Sequence, residues 1–143
     1  MGYSHLFGPV LSRRLGRSLG VDLVSYKVCT FDCVYCEVGH TTAKTLQRQE
    51  FFPPSGIEEE LKRFFSTNPV LDYVTLSGSG EPTLSLSLGR VIGFIKTHFP
   101  VYPLAVLTNA SLLWDRHVQE ELLASDVVLP TLSTVDEEIF QRI

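Results

Sequence analysis

Four apolar, β-branched stretches punctuate the chain: VDLV (21–24), YVTLS (73–77), LAVLT (104–108) and VVLPTL (127–132). Each is a near-continuous apolar run rather than an alternation of apolar and polar positions, the pattern of strands covered on both faces. Between them the apolar positions recur at helical spacing. In SGIEEELKRFF, Ile57, Leu61, Phe64 and Phe65 form a stripe, and Ser55 with Glu58 predicts a capping box at its start. Leu88, Val91, Ile92 and Ile95 mark a second helix. Leu112, Leu113, Val118, Leu122 and Leu123 mark a third within 111–125, and DEEIFQRI begins a fourth.

Strands predicted to begin at 73, 104 and 127 are separated by about the length of a βαβ unit. The order βαβαβαβα predicts an α/β fold with a parallel sheet and right-handed crossovers, one domain over residues 1–143. Such sheets place ligands at the carboxyl ends of their strands. The unusual residues fall there: CTFDCVYC follows strand one, SGSGEPT strand two, TNAS strand three and STVD strand four. The sequence stops at Ile143 inside the fourth predicted helix without a stop signal. A four-stranded parallel sheet would also carry an unprotected edge. Both features read as a fragment, or a truncated product, of a longer protein.

Composition narrows the function classes. With 44% hydrophobic and 20% charged residues in 143, the chain is globular rather than disordered. A formal charge of −4 argues against a wholesale nucleic-acid footprint, although SRRLGR gathers Arg13, Arg14 and Arg17 into a local basic patch. That patch is either a contact for a phosphate-bearing substrate or a solvated face. The N-terminus carries no secretory pattern, and no apolar run approaches the roughly 18 residues of a membrane span. An odd number of cysteines without an export signal predicts a reducing, cytoplasmic location.

The cysteines are the strongest chemical signal. Cys29, Cys33 and Cys36 lie within eight residues, and the chain has 3 cysteines in all. Thiolates this close repel one another unless a cation neutralises them, which makes a bound metal centre the economical reading. A cysteine-built site normally has four ligands. A 4Fe–4S cube held by three cysteines leaves one iron without a protein ligand, free to take one from outside.

At this point the chain resembles the radical S-adenosylmethionine enzymes, whose signature CxxxCxΦC is matched by Cys29, Cys33, Tyr35 and Cys36. The resemblance implies a 4Fe–4S cluster whose open iron is chelated by S-adenosylmethionine. Reductive cleavage of that cosubstrate then gives a 5′-deoxyadenosyl radical. It implies that Tyr35 packs near the adenine. The family's Gly-Gly-Glu motif, which receives the methionine amino group, is matched by Ser79-Gly80-Glu81, with Ser79 replacing the first glycine. Gly80 permits close backbone approach, and Glu81 offers a carboxylate to an ammonium. Thr108 and Asn109, and Ser133 and Asp136, resemble the family's strand-three and strand-four polar ends, which touch ribose or carboxylate; either pair would serve equally as helix caps. The run from FGPVL onward is similar to the first four βα units of the family's six-unit partial TIM-type barrel. It is most similar to the branch of iron–sulfur oxidoreductases that includes wybutosine-type tRNA-modifying enzymes. The resemblance thus implies an electron donor such as a flavodoxin or ferredoxin, and RNA as one substrate class.

Two other readings compete. His40 completes C-x3-C-x2-C-x3-H, a closed zinc site that would make the protein a binding module. Alternatively the chain is a cluster-binding remnant that needs a partner. SGSGEPTL by itself is also an ordinary strand-to-helix turn, with Thr83 or Ser85 as the cap.

Overall fold

A computed structural model describes residues 2–143. Its strands are β1 (Leu6–Ser12), β2 (Gly16–Val21), β3 (Val28–Cys29), β4 (Ala43–Lys44), β5 (Tyr73–Leu76), β6 (Leu104–Thr108) and β7 (Val127–Pro130). Its α-helices are α1 (Pro54–Phe65), α2 (Leu88–His98), α3 (Arg116–Leu122) and α4 (Glu137–Phe140), and a 3₁₀ turn spans Pro82–Leu84. The main sheet has the order β1-β2-β5-β6-β7. β2, β5, β6 and β7 run parallel, and β1 pairs antiparallel with β2 as an outer arm. The chain is therefore α/β with a mostly parallel central sheet, as expected, and is compatible with a partial (β/α) barrel.

The apolar runs at 73, 104 and 127 form strands, but the first does not. The strand sits at Gly16–Val21, and Asp22–Val24 lie beyond it in a loop. Leu23 and Val24 are nonetheless buried in the core, so their apolarity records burial and not pairing. Gly20 is needed in β2 because the Phe7 ring of β1 lies over it, where a Cβ would be 2.1 Å from that ring. Ser18 fits the buried face because its hydroxyl bonds that of Thr75 on β5. The strand Leu6–Ser12 was not expected from the sequence; its exposed positions (Phe7, Val10, Leu11) give it no buried apolar run.

Helix α1 buries Ile57, Leu61 and Phe65, one stripe at four-residue spacing. The expected capping box does not form. Pro53 occupies the N-cap and Pro54 the first turn, where a missing N–H costs nothing. Glu58 instead takes a bidentate pair with Arg90 of α2, at 2.7 and 3.1 Å. That pair holds the Glu58 carboxyl below its ordinary range. The third helix is shorter than the apolar pattern suggested. It starts at Arg116, where Asp115 accepts the amide of His117 at 2.9 Å. α1 packs on α2, and α2 on α3 and β6. Between the helices and the sheet lie Leu19, Val21, Val74, Leu76, Leu104 and Val106, facing Ile92, Ile95 and Val118.

Register decides where chemistry collects. Val21 pairs with Leu76 and Leu76 with Val106, so β2, β5 and β6 reach their carboxyl ends side by side. The loops leaving those ends carry the residues singled out in the sequence. Arg13 and Arg14 lie in the turn that enters β2, and Arg17 near its start, at the far end of that strand from its carboxyl rim. The basic patch and the cysteines are thus at opposite ends of the sheet. No helix among the described residues is long and apolar enough to cross a membrane.

Candidate cofactor site

The cysteine loop begins on the two-residue strand β3, paired in parallel with β4. Cys29 ends that strand, and its carbonyl accepts the Thr45 amide at 3.0 Å. A tight turn then brings the Cys36 amide to the Cys33 carbonyl at 3.1 Å. All three thiols are free and partly exposed. Burial raises the Cys29 thiol above its ordinary pKa, against hydrogen bonds from Phe31 and Thr30 that pull it down; the Glu81 carboxylate adds to the rise.

A different environment surrounds the loop after β5. Glu81 is buried, with 2% of its surface exposed. Its Oε1 accepts the Thr83 amide (3.2 Å), the Thr83 hydroxyl (2.6 Å) and the Thr108 hydroxyl (2.6 Å). Its Oε2 accepts the Asn109 amide at 2.8 Å. One carboxylate thereby ties the loop after β5 to the end of β6. Gly80 lies against the backbone of β3: a Cβ there would stand 1.8 Å from the Val28 carbonyl oxygen. Ser79 bonds the Asp22 Oδ2 through both its amide (3.0 Å) and its hydroxyl (2.6 Å). Gly78, at φ 147°, clears the same carboxylate. From outside, Arg48 donates to the carbonyls of Thr83 (2.7 Å) and Ser85 (2.8 Å), fixing the 3₁₀ turn.

Asn109 connects this frame to the cysteines. Its Nδ2 donates to Thr30 Oγ1 at 2.7 Å and stands 3.7 Å from Cys29 Sγ, while its Oδ1 accepts Ser111 at 3.0 and 2.6 Å. Beyond it opens a cavity of about 1120 Å³, whose lining includes Cys33, Tyr35, Asn109 and Ser133. Tyr35 and Ser133, 98 residues apart, meet there through their hydroxyls. Asp136 does not join them; it caps α4, accepting the Ile139 amide at 3.0 Å. α4 lies over the cysteine loop, with Phe140 edge-on to Phe31 at 5.9 Å.

Three residues that sequence reasoning passed over complete the site. Asp22 was read as part of a strand; a lone carboxylate inside an apolar run was the available signal. Thr30 belongs to the cysteine loop, where its hydroxyl also meets Ser111 at 2.6 Å. Lys27 is buried, with 3% exposed, and its Nζ lies 3.4 Å from Cys36 Sγ. A cation two residues before a cysteine cluster was visible in the sequence but carries no pattern of its own.

The donor set bears on which metal the cysteine loop could hold. Among the described residues, no three His, Cys, Asp or Glu side chains converge as a single-ion site requires. A structural zinc draws four ligands onto one point at about 2.0–2.3 Å. The His40 side chain is 93% exposed, and its Nδ1 stands 3.5 Å from Asp32. A multi-iron cluster assigns each thiolate to a different iron, so it needs no such convergence. Three soft thiol donors on one loop, half-exposed and without a fourth, fit a cluster of this kind.

Residues 23–143 match the Radical SAM superfamily. The chain belongs to that superfamily. It is 41% identical over 141 residues to a UPF0026 protein of Methanocaldococcus jannaschii, covering 96% of this chain and 43% of that protein. It is 42% identical over 139 residues to a UPF0026 protein of Synechocystis, covering 96% and 51%. A protein of Brachyspira hyodysenteriae named GTPase Obg is 37% identical over 138 residues, 96% of this chain and 20% of that protein. The chain thus spans about half, or less, of the curated relatives it matches. No solved structure matches it.

Proposed function

We propose that this chain is the cluster- and cosubstrate-binding part of a radical S-adenosylmethionine enzyme. The observation that carries the reading is the set of three half-exposed thiols with no fourth ligand, at the carboxyl rim of a parallel sheet, beside the Gly80–Glu81 loop. Cys29, Cys33 and Cys36 would hold a 4Fe–4S cluster. When bound, the cluster supplies an electron that cleaves S-adenosylmethionine to methionine and a 5′-deoxyadenosyl radical. The protein's own contribution is placement, because the cofactor carries the hard chemistry.

In this reading Gly80 lets the backbone after β5 come close, and Glu81 braces that backbone and Asn109 from behind. Asn109 steadies the Cys29–Thr30 segment. Tyr35 and Ser133 close the outer wall of the cavity, where the adenosyl group is expected. The electron comes from a low-potential carrier of the flavodoxin or ferredoxin type, and the protein acts in the reducing cytoplasm as an oxidoreductase on an unidentified substrate, with RNA as one candidate class.

The test is anaerobic reconstitution with iron and sulfide, then electron paramagnetic resonance of the reduced protein with and without S-adenosylmethionine. A 4Fe–4S signal that changes on adding the cosubstrate is the expected result. A colourless protein holding stoichiometric zinc, lost on His40→Ala, would overturn it.

A further inference from the structure

Lys27 combines two unfavourable features, burial and a left-handed backbone. Its side chain is buried, an unfavourable placement for an ammonium unless a partner compensates it. Its backbone is left-handed, at φ 58°, a strained conformation for a residue other than glycine. The surroundings enforce both. The Lys27 amide donates to Ser79 O at 3.0 Å, and its carbonyl accepts the amides of Thr42 (3.0 Å) and Ala43 (3.3 Å). This clamp between the loop after β5 and strand β4 fixes the side chain's point of departure and delivers Nζ to Cys36 Sγ. The neighbouring carboxylate, Asp32, is turned to the Thr41 amide at 2.7 Å and to His40. A neutral thiol compensates a buried ammonium poorly; an anionic sulfur compensates it well.

We infer that Lys27 is a positioning and tuning residue for the cluster, raising its reduction potential through a charge-assisted hydrogen bond to the Cys36 thiolate. The inference rests on the cluster assignment proposed above. A cluster bearing three thiolates is anionic and gains one further negative charge on reduction by the electron carrier. A fixed cation beside one of its sulfurs favours the more negative state, and hydrogen bonds to the sulfurs are an established lever on such potentials.

The experiment is a potentiometric titration, followed by electron paramagnetic resonance, of the reconstituted chain and its Lys27→Met and Lys27→Arg variants. Lys27→Met, of similar length without the charge, is expected to favour the reduced state at least tenfold less. For a one-electron couple that is a midpoint about 59 mV lower or more. Lys27→Arg is expected to stay near the wild-type value. Equal midpoints for the wild type and Lys27→Met overturn the inference while leaving the cluster assignment intact. Failure of the wild type to form a cluster removes both. Should Lys27→Met not load, Lys27→Gln takes its place. If neither neutral variant loads while Lys27→Arg does, with circular dichroism unchanged in all, the cation acts on cluster assembly and the tuning inference falls. If Lys27→Arg fails with them, the side chain has a packing role and the inference falls.

Discussion

Two loops meet at the rim of the sheet and are built on opposite principles. The loop after β5 is saturated: Glu81 accepts four hydrogen bonds, Ser79 makes two to Asp22, and Gly80 touches the backbone of β3. The cysteine loop is open: its thiols are free and partly exposed, and the nearest side-chain donors stand 3.4 and 3.7 Å from sulfur. The difference shows where binding capacity remains. A carboxylate already surrounded by protein donors acts on its neighbours, whereas partly exposed sulfurs with few, long contacts keep room for an incoming group. The saturated loop ties β3 and β6 together, and the open one leaves its sulfurs accessible.

The comparison breaks most readily at Gly80. Gly80→Ala puts a Cβ on the Val28 carbonyl and is expected to destabilise by about 3 kcal/mol or more in urea unfolding. A variant as stable as the wild type would show that β3 and this loop are not locked together. Glu81→Ala leaves four donors without their acceptor, and a loss of about 2–3 kcal/mol is expected. A small change there would mean that water takes the carboxylate's place and the saturated loop is softer than its bonding implies.

On the open side the expectation reverses. Cys29→Ser, Cys33→Ser and Cys36→Ser together are expected to abolish iron incorporation, read by metal analysis after reconstitution. The metal-free protein should keep its unfolding free energy within about 1 kcal/mol. A large loss of stability would give the thiols a structural role and erase the contrast.

The smallest effect lies away from the rim. Lys96 bonds the Asp126 carboxylate at 2.7 Å, and with the Leu104 amide it holds that group below its ordinary pKa. A depressed carboxyl stabilises the fold above its unfolded pKa of about 3.9, and that stability is lost as pH falls through the lower folded value. Asp126→Asn should therefore cost well under 1 kcal/mol at neutral pH, since the pair is exposed and screened. The difference from wild type should vanish in acid. A difference that persists there would assign the effect to packing at the start of β7.

The candidate site was legible in the sequence where chemistry depends on residue type and local spacing. Three cysteines in one loop, an aromatic before the last, and glycine before glutamate after a strand are all local. Parallel strands at 73 and 104 were legible because burial on both faces demands unbroken apolar runs; the edge strand at 127 keeps such a run although it is only partly buried. The first strand was misplaced for the same reason: Leu23 and Val24 are as buried as strand residues, yet a loop holds them. The capping box failed because Pro53, with no side-chain acceptor, takes the N-cap position in place of Ser55 and Arg90 drew Glu58 away.

What the sequence determined by itself is the kind of chemistry: soft thiol donors one short of a closed set, in an α/β chain. What the tertiary structure decided is the part each residue takes. Glu81 is buried and bonded because Thr83 of the 3₁₀ turn, Thr108 at the end of β6 and Asn109 just beyond it converge on its carboxylate. Tyr35 met Ser133 because the sheet brings loops 98 residues apart to one edge, and Lys27 met Cys36 because backbone bonds to Ser79, Thr42 and Ala43 hold its segment in place. Local spacing encodes donor type, while burial and hydrogen-bond partners depend on contacts between segments far apart in the chain, which only the folded sheet brings together.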